Sequence, residues 1–175
     1  MNGDSTPNGL RVLPWFGLAI LVIVLDQYSK QLASSLLDYA RPVEVFSWFD
    51  LTLQHNSGAA FSFLAQAGGW QRWFFSGIAV VISVGLSVWL VRLPREQRLL
   101  ALSLALILGG AIGNLWDRLA LGYVVDFISV HYAGSYFPAF NIADAAISTG
   151  AALMLLESFL ARPGRETDPS LEDDQ

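Results

Sequence analysis

The chain has 175 residues, 54% of them apolar and only 14% charged, with a mean hydropathy of +0.47. A soluble domain carries roughly 25% charged residues and a disordered chain combines low hydrophobicity with high charge, so both classes are excluded and a bilayer is the expected solvent. A net charge of −5 without any polybasic run excludes a nucleic-acid surface, and the absence of cysteine excludes disulfides, thiolate metal sites, a cysteine nucleophile and a lipid carried on cysteine.

The first apolar run, Val12 to Leu25, is closed by Asp26 and Lys30. The acid precedes the base by one helical turn, the favourable order for an intrahelical ion pair, so a structural role is expected of them. Arg11, the apolar run and Ala33-Ser34-Ser35 also outline a cleavable signal peptide, but Asp26 and Lys30 fit badly in a cleavage region. Pro42 to Asn56 is rich in β-branched and aromatic residues and alternates at Leu51, Thr52, Leu53 and Gln54, which predicts one or two strands.

Trp73 to Val91 and Leu99 to Trp116 are free of charge, and each approaches the ~20 residues that cross the hydrocarbon. Gly109, Gly110 and Gly113 permit close helix approach. Asn114, Asp117 and Arg118 follow at i, i+3 and i+4; Asp117 and Arg118 read as an interfacial cap, with Arg118 free to snorkel. Tyr123 to Tyr132 is strand-like, and Ala133-Gly134-Ser135 reads as a turn. Pro138 supports a helix start near Phe140, which places Asn141 and Asp144 on one face of a last apolar helix. His55 and His131 are isolated and expected to be solvated. Glu166, Asp168, Glu172, Asp173 and Asp174 make an acidic, disordered tail.

These elements predict an all-α membrane protein: four transmembrane helices with a small extracytoplasmic β-sheet. The spans run over about 13–36, 70–91, 98–117 and 139–161, the outer segments over 37–69 and 118–138, and the tail over 163–175, all in one domain of 1–175. Arg11, Arg92, Arg95, Arg98, Arg162 and Arg165 fall on one side, which predicts that both termini are cytoplasmic. Trp48, Phe49, Trp70, Trp73, Trp116, Tyr132, Tyr136 and Phe137 then sit near the outer ends of the spans, as an interfacial aromatic belt does.

The polar residues Asp26, Lys30, Asn56, Asn114, Asp117, Arg118, Asp126, Asn141 and Asp144 gather at that same level. Polar groups near hydrocarbon are costly unless paired, so a shared site or network is expected. Asp126 and Asp144 both lie in apolar frames. Two carboxylates so placed suit aspartic-protease chemistry, in which one holds a proton for the scissile carbonyl and the other activates water. On pattern alone the same acids also suit a proton relay in a small transporter or channel subunit. The uncharged middle of each span counts against a continuous path. No metal-spaced carboxylate–histidine cluster, nucleophile elbow or phosphate loop is present in the sequence.

Five blocks carry a resemblance: Asp26-Gln27-Tyr28-Ser29-Lys30; Asn56-Ser57-Gly58-Ala59-Ala60-Phe61-Ser62; Gly109 through Arg118; Val124-Val125-Asp126-Phe127; and Phe140-Asn141-Ile142-Ala143-Asp144. In this order and spacing the chain resembles the bacterial lipoprotein signal peptidases (signal peptidase II), over roughly residues 12–160. The resemblance implies that Asp126 and Asp144 are a catalytic dyad. It implies that Asn56, Gly58, Asn114, Arg118 and Asn141 line the substrate site, with Asp26, Lys30 and Asp117 in support. The implied substrate is a prolipoprotein whose cysteine already bears a diacylglyceryl group, cut just before that cysteine. No metal or organic cofactor is implied, and a monomer in the bacterial inner membrane, with its site near the periplasmic face, suffices.

Overall fold

A computed structural model describes residues 12–58 and 69–160. The expectations for Arg11, for Ala59 to Ser62, for Arg162 and Arg165 and for the acidic tail lie outside the described residues.

Four helices form: α1 (Leu13–Leu36), α2 (Trp70–Arg92), α3 (Arg98–Ala120) and α4 (Ile142–Leu160). At 24, 23, 23 and 19 residues and 1.5 Å per residue, they are ~28–36 Å long, enough to cross ~30 Å of hydrocarbon. Pro14 begins α1, where a missing N–H costs nothing. Pro94 forbids α2 from running on, and a short turn leads into α3.

Burial is inverted relative to a soluble protein. Asp26 and Asn141 are fully buried, whereas Val81 is 73% and Phe159 83% exposed. Exposed aliphatic and aromatic flanks around a polar interior are stable only in lipid, where the flanks keep an apolar solvent and the polar groups must pair inside.

The third helix is the hub, packing against each of the other three. Its glycines set the distance. A Cβ on Gly109 would stand 2.8 Å from the Ala19 carbonyl oxygen of α1, and one on Gly110 would overlap the Ala143 carbonyl of α4. One face of α3 therefore meets backbone on two sides without a side chain between. At the end of the bundle away from the sheet, Leu90, Leu93, Leu100, Ala101 and Leu104 form an apolar cluster that Trp15, Phe16, Leu86 and Met154 cover.

The other end carries a four-stranded antiparallel sheet in sequence order: β1 (Val43–Phe46), β2 (Phe49–Asn56), β3 (Val124–Tyr132) and β4 (Ser135–Tyr136). Pro42 to Asn56 thus resolves into two strands. Ala133 and Gly134, both at positive φ (49° and 81°), turn β3 into β4, as a tight hairpin requires. The chain before α4 is stitched to β3: Phe127 and Ile128 donate N–H to the Phe140 carbonyl (3.0 and 2.8 Å), and Phe140 donates back to Ile128 (2.9 Å). Those bonds delay the helix start to Ile142, two residues beyond the expected Phe140. At its far end α3 extends to Ala120, so Arg118 lies within the helix.

Candidate active site

Asp126 lies near the start of β3 and is 2% exposed; Asp144 lies in the first turn of α4, half-buried. Asn141 joins them. Its Nδ2 donates to Asp126 Oδ1 (2.7 Å) and to the Val125 carbonyl (3.2 Å). Its Oδ1 accepts the Asp144 N–H (2.9 Å), and its own N–H donates to Asp144 Oδ2 (3.3 Å). The last two bonds form a reciprocal cap at the start of α4. The expectation of two neighbours on one helix face is therefore corrected: Asn141 is the capping residue outside the helix, and its side chain is free to reach the strand.

Each remaining oxygen has an amide. Asn56 Nδ2 donates to Asp126 Oδ2 (3.0 Å), and Asn114 Nδ2 donates to Asp144 Oδ1 (2.7 Å). Asn56 is oriented in turn by the Gly58 N–H, which donates to its Oδ1 (2.9 Å). Gly58 holds φ +101°, and a Cβ there would stand 2.7 Å from the Phe75 ring. Burial is the main cause that pushes Asp126 up from 3.8 to about 6; the Asn56 amide opposes the rise and the Asp144 charge adds to it. Arg118 has Asp144, Asp126 and Asp117 as its electrostatic partners. Its guanidinium sits 5.7 Å over the Phe75 ring and donates to the Asn114 carbonyl (3.2 Å).

Behind the two acids lies a buried ion triad. Lys30 Nζ meets Asp26 Oδ2 at 2.7 Å and Asp117 Oδ2 at 3.0 Å, and donates to Asn114 Oδ1 (3.0 Å). The expected Asp26–Lys30 pair forms, but Asp117 is no interfacial cap. It is 2% exposed and belongs to the triad, because the third helix packs directly on the first at this level. Arg118, one residue on, is within electrostatic reach of Asp126 and Asp144 instead of snorkelling. Gln27 was not singled out in the sequence. Its Nε2 donates to Asp117 Oδ1 (2.8 Å) and to the Gly113 carbonyl (3.1 Å). Its place beside Asp26, on the same turn as an acid that enters the core, was the available signal. Phe75 was hidden in a charge-free run of mostly apolar residues.

His131 departs from the expected solvation, with its side chain only 16% exposed, whereas His55 is exposed as expected. His131 lies 3.2 Å from Asp50 and stacks on Tyr136 at 4.7 Å; His55 stacks on Tyr123 at 4.0 Å and lies 4.9 Å from Tyr39. Both are in strands, where cross-strand and diagonal neighbours supply rings. Among the described residues, no three His, Asp or Glu side chains converge to hold a metal. A groove of about 440 Å³, lined by Phe137, Phe140, Ala145, Ser148 and Thr149, reaches Asp144.

A family profile described as "Signal peptidase (SPase) II" matches residues 18–160. A lipoprotein signal peptidase of Acinetobacter baumannii is 54% identical over 153 residues, 87% of each chain. One from Teredinibacter turnerae is 54% identical over 86% of this chain and 90% of its own, and one from Pseudomonas aeruginosa is 50% identical over 88% and 92%. Two solved chains, described as bacterial membrane enzyme structures obtained by the in meso method, superpose with TM-scores of 0.74 and 0.75 at 28% identity. They cover 87% and 86% of this chain, and 93% and 94% of their own.

Proposed function

The chain belongs to the signal peptidase II family, membrane proteases that remove signal peptides from lipoproteins, and from that premise we propose that it is an aspartic endopeptidase with Asp126 and Asp144 as its dyad. The observation that carries this reading is Asn141, which holds one acid through its side chain and the other through its backbone.

The chemistry follows from the environments. Asp126, pushed up to about 6, holds the shared proton. Asp144 takes a proton from water, whose oxygen attacks the scissile carbonyl carbon, while Asp126 gives its proton to the carbonyl oxygen. The tetrahedral intermediate then collapses: Asp144 passes its proton to the leaving nitrogen, the C–N bond breaks, and a hydroxyl proton returns to Asp126. One water is consumed and both acids end as they began. Asn56, Asn114 and Asn141 keep the carboxyl groups aimed through this cycle, and Arg118 offsets the negative charge.

The substrate proposed is a prolipoprotein already diacylglycerylated on its cysteine, cut immediately before it. Acyl chains hold such a cysteine at the membrane surface with about 0.8 kcal/mol per buried methylene, which presents the bond at the depth of the dyad. The groove of Phe137, Phe140, Ser148 and Thr149 beside Asp144 supports an apolar substrate portion there. We place the sheet end of the bundle at the periplasmic face of the inner membrane and both termini in the cytoplasm, by the arginines around Pro94. One chain supplies the whole dyad, so a monomer suffices. Cleavage of a diacylglyceryl prolipoprotein in detergent tests the assignment: the wild type cuts before the lipidated cysteine, and folded Asp126→Asn and Asp144→Asn do not. Equal cleavage by all three refutes the dyad, and equal cleavage of an unlipidated precursor refutes the recognition.

A further inference from the structure

The ion triad has a symmetry that neutralising a buried charge does not require. Asp26 Oδ1 accepts the N–H of Ala143 (2.9 Å), the residue before Asp144. Asp117 Oδ2 accepts the N–H of Val125 (3.1 Å), the residue before Asp126. Each acid of the triad therefore grips the backbone one position upstream of one acid of the dyad, and Lys30 grips both triad acids, at 2.7 and 3.0 Å. Lys30 reaches the dyad by a third route: it donates to Asn114 Oδ1, and since an ammonium has only donors, the Asn114 amide is fixed with its Nδ2 toward Asp144.

We propose that Lys30 is a positioning residue for proteolysis, clamping through Asp26 and Asp117 the strand and the helix that carry Asp126 and Asp144, and so setting the separation of the two reacting carboxyl groups. This rests on the dyad reading above.

The carboxylates are not replaceable by amides. Asp117 accepts from Gln27 on one oxygen and from Lys30 and Val125 on the other. Asp26 accepts from Ala143 on one, and from Lys30 and Gln27 on the other. An asparagine at either position must turn its NH2 against a donor. Catalysis depends on sub-ångström placement of such pairs, whereas overall folding tolerates more.

The test is Lys30→Met in the full chain, read by amide hydrogen exchange and by cleavage kinetics with a diacylglyceryl prolipoprotein. Lys30 touches neither the Val125 nor the Ala143 amide, yet both should exchange faster together, by about tenfold or more, the loss expected for a charge-assisted hydrogen bond. Leu104 and Leu108, far along α3, should keep their rates. In parallel kcat should fall about tenfold or more with KM within about twofold, since aim is lost and substrate binding is not. A folded variant in which the two amides keep their wild-type rates, or in which KM rises while kcat holds, overturns the proposal. Acceleration spread evenly over α3 also overturns it, because that is loss of stability and not of the clamp. If Lys30→Met does not fold, Asp26→Asn and Asp117→Asn carry the test: each should loosen its own amide and lower kcat, and an unchanged kcat in either refutes the clamp. The exchange arm needs no turnover, so it decides the clamp even if the dyad reading fails in the cleavage assay.

Discussion

Replacing Gly113 by alanine tests how tightly the triad is seated. A Cβ at Gly113 would stand 2.7 Å from Asp26 Oδ2, 3.3 Å from Asp26 Cγ and 3.5 Å from Ala143 Cβ. A flexible surface carboxylate would swing aside, but this one is held by Lys30 at 2.7 Å and by the Ala143 N–H at 2.9 Å. Overpacking at a fixed site costs about 1–3 kcal/mol, and losing one charge-assisted hydrogen bond adds about 1.5–3 kcal/mol. Alanine returns about 1 kcal/mol of helix propensity. The net expectation is a destabilisation of roughly 1.5–5 kcal/mol, which at ~2–4 °C per kcal/mol lowers Tm by roughly 3–20 °C. Gly17→Ala in α1 and Gly77→Ala in α2 are the controls, since nothing lies within 4 Å of a Cβ at either position. Both should hold or raise Tm. Thermal unfolding of the four proteins in one detergent reads the sign directly. If Gly113→Ala melts with the two controls, the carboxylate yields freely and the rigid-clamp reasoning is wrong.

Other consequences follow from the same geometry. Between pH 3.8 and about 6 the folded state binds more protons than the unfolded chain at Asp126, so this group's contribution to stability falls as pH rises through that window and stays lower above it. At 1.36 kcal/mol per pH unit the window amounts to roughly 3 kcal/mol. Denaturation of wild type and Asp126→Asn from pH 4 to 7.5 should give curves that diverge by about that amount in favour of the variant; parallel curves would refute the burial argument. Asn141→Ala removes the cap of α4 and the Asp126 donor together, and should cost ~1–2 kcal/mol in melting and ~10²-fold or more in kcat. Gly58→Ala forces a side chain into positive φ against Phe75 and unhooks Asn56. A local cost of ~1–3 kcal/mol with a fall in kcat is expected, and wild-type kinetics would show that Asn56 does not need the Gly58 N–H.

The four spans were legible because their signal is length and apolarity, which packing does not alter. The sheet was legible as β-branched and aromatic runs, although the division of Pro42 to Asn56 into two strands rests on a tight local pairing of Val43 with Leu51 and Phe46 with Phe49 that the run of strand-forming residues did not mark. Asp26 and Lys30 could be paired on paper because they share one helix turn. Asp117 could not join them, since its partners come from α1 across a helix contact that no local spacing encodes. The neighbouring Arg118 looked like a snorkelling surface residue for the same reason. The role of Asn141 was half visible. Its i, i+3 relation to Asp144 was clear, but its reach to Asp126 depends on the strand being stitched to Phe140. Within the blocks, chemistry was read from residue type, and mutual orientation only from the fold.

The one-turn spacing of Asp26 and Lys30 also bears on biogenesis. The helix α1 holds an acid and a base that would each cost about 2.5–3.5 kcal/mol if inserted alone at mid-membrane. Paired at 2.7 Å within one helix, they neutralise each other without help from any other span. Asp117 arrives two helices later, and Ala143 and Asp144 come last. The charges of α1 are thus compatible with the membrane on their own, whereas the proposed dyad is complete only when α4 docks, because Asp144 lies in its first turn.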